Sequence, residues 1–598
     1  MVKLTNIKTN WDFNTTLGYQ NLSDPNIKKD LQTAKKKSYK FIKKWRQDSS
    51  YLTSVTSLKT ALDRYEAWAA TYATSGNVDY YLSLRQSLKQ NSPRISAQLN
   101  KIIFSARAIE NDIQFFLLNL SKVDTNQQKK FLSSPSLKPY KNFLKNLFLA
   151  GVHTLTDDQE KIINLKSQVS YGNWVKMTSR LLSKQTAQVY SAKGKLKKLP
   201  FSKIYSLIDH PTPKIRQKAS LAFTHILDQF ADVAESELNS VLENKMIEDQ
   251  LRSFSRPDSA RHLSDDIDTQ VVDTLIETVS KNFHLSQSYY HQKASSLGKK
   301  TLQYSERNIP VGKFNRRYPL KSAIKIVDRV LASLDPQFSA IFNTFLKDGN
   351  LDFLSKKGKT DGAFCAAGLK NATSFVLLNH NGKLRDMTTI AHEMGHAINN
   401  ELTRLNQNAL NFDTTLATAE VASTFFEDFV LRDISQHLTK SQQTSLLYST
   451  LDDQIATVFR QTALYNFETD LHSLFRQKGY LSKKTIGDLF TKHMKSYLGD
   501  AVSMTGFQNW WVYWSHIRRP FYVYSYVSGL LISKYLQFKV IKNPKYINKI
   551  KKFLSSGTSL SPQKIFTNLG IDISQPIFWQ IGIDQFTNKL HQIRKNAV

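Results

Sequence analysis

The chain has 598 residues, 41% hydrophobic and 22% charged, with 82 Lys and Arg against 49 Asp and Glu, a formal net charge of +33. That length supplies a large core and predicts more than one domain, and no run approaches the roughly 18 apolar residues of a membrane span. One cysteine, Cys365, excludes a disulfide framework and a zinc finger, while an amino terminus without the apolar core of a signal peptide predicts a cytoplasmic protein.

Helical patterning dominates from the start. Residues 27–47, 55–75, 97–121, 213–248, 268–297 and 321–346 carry apolar side chains at three-to-four spacing with charged opposite faces. Between them, 186–204 reads as a hairpin, and Gly194 to Pro200 reads as a hinge. An amino-terminal helical lobe over 1–198, acting as a lid, and a catalytic domain over 199–598 are the expected division. Ser374–Leu378 is the best strand candidate, directly ahead of residues 389–398, Thr-Ile-Ala-His-Glu-Met-Gly-His-Ala-Ile.

That decapeptide contains His-Glu-x-x-His. His392 and His396 lie four apart, so on a helix they project from one face and reach one zinc ion. Glu393 stands between them as a general base toward a zinc-activated water, later passing the proton to a leaving amine. A catalytic zinc needs a third protein ligand. Glu420 stands in an otherwise small and apolar run, 24 residues past His396, where a carboxylate is costly unless paired. Glu427 is two helical turns further along the same face and suits the hydrogen bond that orients a ligating imidazole. Further on, 510–529 is crowded with Trp, Tyr and one His, and its alternating Tyr522, Tyr524 and Tyr526 fit a buried strand or a turn.

These segments together resemble the oligoendopeptidase F group within the thimet oligopeptidase family of zinc metallopeptidases. The match is carried by Lys359-Thr-Asp-Gly-Ala-Phe-Cys365, by Ser374-Phe-Val-Leu-Leu-Asn379 with Asn381-Gly382, by the box with Glu420-Val-Ala-Ser-Thr, and by His516 with Pro520-Phe-Tyr-Val-Tyr-Ser-Tyr526. Asn10-Trp11-Asp12-Phe13 resembles the start common in the group. The resemblance implies a mainly α, two-lobed peptidase enclosing a deep channel, with a small β-sheet beside the zinc-box helix. It implies zinc, one ion per chain, on His392, His396 and Glu420, with Glu393 as base. It further implies that His516 contacts the peptide near the scissile bond, and that Tyr526, with Tyr522 second, stabilises the oxyanion. Val376, Leu377, Leu378 and Asn379 would pair with an extended substrate by strand addition. His380 and Arg518-Arg519 depart from the group's usual aromatic residues and are expected to alter which peptides bind.

The expected activity is an intracellular endopeptidase for short unstructured oligopeptides. A zinc carboxypeptidase on a similar scaffold is the alternative, although its Ile-Pro-Arg-Ser element is absent. The basic charge is scattered, as in Lys35-Lys36-Lys37 and Lys193 to Lys198, with no aromatic-interleaved basic motif. It therefore reads as a solvated surface or as a cleft that draws acidic peptides, and a nucleic-acid-binding protein with a vestigial metal site is the remaining option.

Overall fold

Helices carry this chain, as the three-to-four spacing predicts, and the computed structural model describes residues 7–312, 314 and 316–597. The first two patterned stretches each form one helix, Pro25–Gln47 and Val55–Thr71. Longer patterned stretches break into pairs. The stretch at 321–346 becomes Leu320–Leu334 and Pro336–Asp348, because Asp335 caps the backbone N–H of Gln337 and Pro336 takes the first helical position. The stretches at 213–248 and 268–297 break at Phe230 and Asn282, neither of which is a strong helix breaker.

Seven strands form three small sheets among the described residues. β1 (Thr186–Tyr190) and β2 (Leu196–Pro200) are the expected antiparallel hairpin, turning through Gly194 at φ +75°. β3 (Leu302–Gln303) pairs in parallel with β7 (Val502–Ser503). The third sheet has β4 (Leu351–Leu354), β5 (Phe364–Ala366) and β6 (Phe375–His380) in the order β4-β6-β5, with β4 parallel and β5 antiparallel to the central β6.

Lys359 explains why the segment ahead of β5 is tied to this sheet. Its buried ammonium donates to Asp352 Oδ1 at 2.6 Å and to the carbonyls of Leu354 and Leu378 at 2.9 and 2.5 Å, locking the ends of β4 and β6 together. The Trp11 indole N–H donates to the Val376 carbonyl at 2.9 Å, so the amino-terminal motif is sewn into the same sheet. The box segment follows as helix α1 (Leu384–Asn406), whose start is fixed by Asp386 accepting from the backbone N–H groups of Asn381 and Lys383. Helix α2 (Leu416–Ser435) then packs on α1, and β5 and β6 pack on α1 as well. The expected architecture, mainly α with a small sheet beside the box helix, is what forms.

Two compact units divide the chain, and neither is continuous in sequence. One gathers residues Met1–Thr154, Asn315–Gln436 and Leu536–Ile571; the other gathers Leu155–Phe314, His437–Tyr535 and Asp572–Val598. The β1–β2 hairpin lies inside the second unit, and the box helix lies in the first together with the amino-terminal helices.

Candidate metal centre

α1 and α2 approach closely because α1 has no side chain at the crossing. A Cβ at Gly395 would stand 2.6 Å from Cα of Ser423 and 2.7 Å from the carbonyl oxygen of Ala422. Glycine at the third position after His392 is therefore what lets Glu420 reach the two histidines.

His392 and His396 sit one turn apart, ring centroids 5.2 Å from each other. Glu420 Oε2 lies 3.4 Å from Nε2 of His392 and 3.6 Å from Nε2 of His396, and the three groups offer ligand atoms all within 4.8 Å of one another. Ligands at 2.0–2.1 Å around a tetrahedral ion stand about 3.3 Å apart. The donor set and its spacing fit zinc. Around them, Ser423 Oγ donates to Glu420 Oε2 at 2.8 Å, and Glu427 Oε2 lies 3.0 Å from His392 Nδ1. An Nδ1–H given to Glu427 leaves the Nε2 lone pair of His392 directed at the centre.

The electrostatics ask for a cation. Burial lowers His396 to about 4, so this ring is neutral. Burial works against charge on His392 too, but hydrogen bonds to Glu420 and Glu427 outweigh it and raise the ring to about 10. Burial likewise opposes ionisation of Glu420, and the two imidazoles with Ser423 overcome it, lowering the carboxyl to about 2. Glu393 is raised to about 7, first by burial and then by Glu420 and Glu427, with His392 opposing. The Glu420 carboxylate is thus balanced by a proton on His392, and a divalent ion among the ligand atoms would carry that charge instead.

The aromatic segment forms a second cluster, in the other compact unit. It is neither a strand nor a featureless core. A short helical turn at Ser515–Arg518 holds His516, and helix α4 (Tyr524–Lys542) begins after a turn through Phe521. Tyr522 and Tyr526, four apart, both face His516: the His516 and Tyr522 rings stack 5.5 Å apart at 2°, and Tyr526 lies edge-on, 6.2 Å from His516. The Tyr522 and Tyr526 rings also meet each other edge-on, 5.7 Å apart. Tyr524 points the other way and donates to Asp265 at 2.5 Å in the core. Burial, helped by Arg460 and Arg519, lowers His516 to about 4, so its imidazole is neutral near pH 7 and keeps one N–H to donate.

Several expected roles change. β6 is central, with both edges paired, and Val376, Leu377 and Leu378 are buried. Val376 and Leu377 pair with both β4 and β5, which leaves no edge there for strand addition, while the Leu378 and Asn379 carbonyls accept from the side chains of Lys359 and Asn381. Asn379 instead donates its side-chain amide to the carbonyls of Thr360 and Gly362, fixing the loop ahead of β5. Arg518 is buried, donates to the carbonyls of Trp511 and Trp514 and pairs with Glu237 at 3.1 Å, which makes it scaffold; Arg519 alone is exposed. His380 is buried too, its Nε2 2.9 Å from the Tyr318 carbonyl oxygen. Sequence reasoning passed over Ser423, three residues after Glu420 and thus on its face, and Glu468, a carboxylate among the buried residues of its helix.

Two family models match the chain in tandem. Residues 206–584, more than half of its length, match the one described as Peptidase family M3, and residues 119–186 match that described as Oligopeptidase F. The chain belongs to peptidase family M3. As a member it is a metallopeptidase. The oligoendopeptidase F homolog of Borreliella burgdorferi is 25% identical over 529 residues, covering 87% of this M3 chain and 88% of that protein. Among solved structures, a Chlamydophila abortus protein described as a peptidase shares the fold at a TM-score of 0.82 and 19% identity, covering 98% of both chains. Oligoendopeptidase F of Enterococcus faecium does so at 0.70 and 17%, covering 96% of this chain and 99% of that one.

Proposed function

We propose that this M3 metallopeptidase is an intracellular zinc endopeptidase that hydrolyses short, unstructured oligopeptides. The observation that carries the reading is the convergence of His392, His396 and Glu420, with a buried Glu393 on the same helix. In this reading the three side chains hold one zinc ion, which supplies Lewis acidity and makes water a nucleophile near neutral pH. Glu393 takes a proton from the attacking water and gives it to the amine that leaves, a transfer suited to a carboxyl raised to about 7. Glu427 keeps His392 in the tautomer that ligates. By the family likeness His516 and Tyr526 donate to the scissile region, Tyr526 to the oxyanion with the Tyr522 ring packed edge-on beside it.

The extended substrate lies along β5, whose edge away from β6 carries no strand among the described residues and whose residues are partly exposed. β5 also packs on α1, the helix that carries Glu393. The chemistry belongs to residues 199–598, a division that falls between the two family matches. No helix among the described residues is long and apolar enough to cross a membrane, which agrees with a cytoplasmic site of action.

Incubating the protein with a defined peptide mixture, with and without a chelator, and reading the products by mass spectrometry tests the proposal. Internal cleavage of a peptide blocked at both ends, abolished by the chelator and restored by zinc, is the expected result. Cleavage confined to free carboxyl termini would instead make the enzyme a carboxypeptidase.

A further inference from the structure

The turn that presents Tyr522 is held in an unusual way. Phe521 has φ +59°, in the left-handed region that a bulky residue rarely adopts, and its ring is fully buried against His472 at 4.9 Å and Tyr465 at 5.5 Å. Pro520 precedes it and contributes no N–H. The backbone N–H of Phe521 is therefore the first donor of this turn, and it lies in the interior, where an unpaired amide is costly. It finds Glu468 Oε2 at 2.6 Å.

Glu468 itself has no evident structural purpose besides this bond. It is fully buried on helix α3 (Phe459–Lys478), no ion-pair partner for it is present among the described residues, and its Oε1 has no hydrogen-bond partner. A buried carboxyl with one backbone amide as its ligand is a poor choice for stability alone. Its position accounts for it. The residue it fixes is the one immediately before Tyr522, and the direction of the chain through Phe521 decides where Tyr522 points. With Phe521 left-handed, its own ring turns inward and the Tyr522 ring stacks flat on His516 with the Tyr526 ring edge-on 5.7 Å away.

We propose that Glu468 is a positioning residue for peptide hydrolysis: it locks the left-handed turn at Phe521 and so sets the His516–Tyr522–Tyr526 cluster in the arrangement that meets substrate. The inference rests on the functional reading of that cluster given above. Burial raises the Glu468 carboxyl to about 8, so the folded protein holds the neutral acid near pH 7 and glutamine reproduces both its shape and its charge. The side-chain carbonyl of glutamine accepts the Phe521 N–H equally well, whereas leucine fills the space and accepts nothing.

The test compares E468Q and E468L in the full-length enzyme, with Y522F, Y526F and the combinations of E468L with each. Rates are scaled to folded protein measured by near-ultraviolet circular dichroism, on an internally quenched peptide. The expected result is E468Q within about threefold of the parent, E468L down at least tenfold in kcat with KM within about threefold, and zinc content unchanged. E468L should add little to a tyrosine variant that is already impaired, because both act through the same cluster. If E468L melts lower yet turns over like the parent per folded molecule, Glu468 is structural and the proposal is overturned. It is overturned equally if E468Q loses as much activity as E468L, or if E468L and the tyrosine variants add independently. Should E468L fail to fold, E468Q with E468M decides by the same criteria. Tyrosine variants with parental activity would refute the cluster's role itself, an outcome separate from a silent E468L in an enzyme whose tyrosines matter.

Discussion

At the scale of single residues, the proposed mechanism separates the groups that would hold a metal from those that would move protons. Glu393 is buried beside the ligands but is not one of them. Glu393→Gln should therefore retain zinc in metal analysis after dialysis while turnover falls at least about 100-fold. Undiminished activity in a continuous peptide assay would remove Glu393 from the mechanism. Tyr526 makes a different expectation. A donor to a developing oxyanion matters mainly in the transition state, so Tyr526→Phe should lower kcat by roughly 10²–10³ with little change in KM. Its ring meets His516 and Tyr522 edge-on, and those contacts survive loss of the hydroxyl. The melting temperature should then stay near the parent's; a variant that melts several degrees lower but works normally in the cold would return Tyr526 to packing.

At the scale of elements, the decisive contact is α1 against α2. The histidines come from one helix and Glu420 from the other, and Gly395 sets how near the two backbones come. Alanine there must push Ser423 and Ala422 away, and overpacking of this kind costs about 1–3 kcal/mol. Gly395→Ala should lower both melting temperature and zinc affinity, whereas Ala397→Gly on the same helix should lower melting temperature alone, through about 1 kcal/mol of helix propensity and the loss of one buried methyl, and leave zinc affinity intact. Zinc titration with a competing chelator distinguishes them, and equal affinities would show that the crossing is not what assembles the ligands. The sheet makes a related point. The family likeness made β6 the expected functional strand, but its side chains are buried on both faces and it is the central strand of its sheet. The partly exposed β5 is the strand with an edge to offer.

For the whole molecule, buried ionisable groups link stability to pH. Glu468 has a folded pKa raised to about 8 by burial, against an ordinary 4.5. Between those values the unfolded chain has released the proton and the folded chain keeps it, so this group's contribution to stability falls as pH rises through about 4.5 to 8. The groups facing it are the Phe521 N–H and, at longer range, the Tyr522 hydroxyl. E468Q does not titrate, so its melting temperature relative to the parent should climb from pH 5 to pH 8. A difference constant across that range would mean that the folded protein already carries Glu468 ionised at pH 5.

Chemistry written into local spacing was legible in the chain. His392 and His396 need only a helix to share a face with Glu393 between them, Glu420 stood out as a carboxylate in an apolar run, and Glu427 followed from its place two turns further along the same face. Mainly helical architecture, the 186–200 hairpin and the family likeness also followed from periodicity and motif order. Edge and centre in a sheet did not, because they depend on which distant segments pair: β4 comes from residues 351–354 and β5 from 364–366, and both flank β6. Nor did the fate of Arg518, whose partner Glu237 lies 281 residues away. The compact units interleave segments from both ends of the chain, which no linear reading displays. Short-range geometry is fixed by helix pitch and strand alternation, which any stretch of sequence displays. Long-range pairing is fixed by the burial of backbone and side-chain polar groups, and only the folded chain shows which partner each one found.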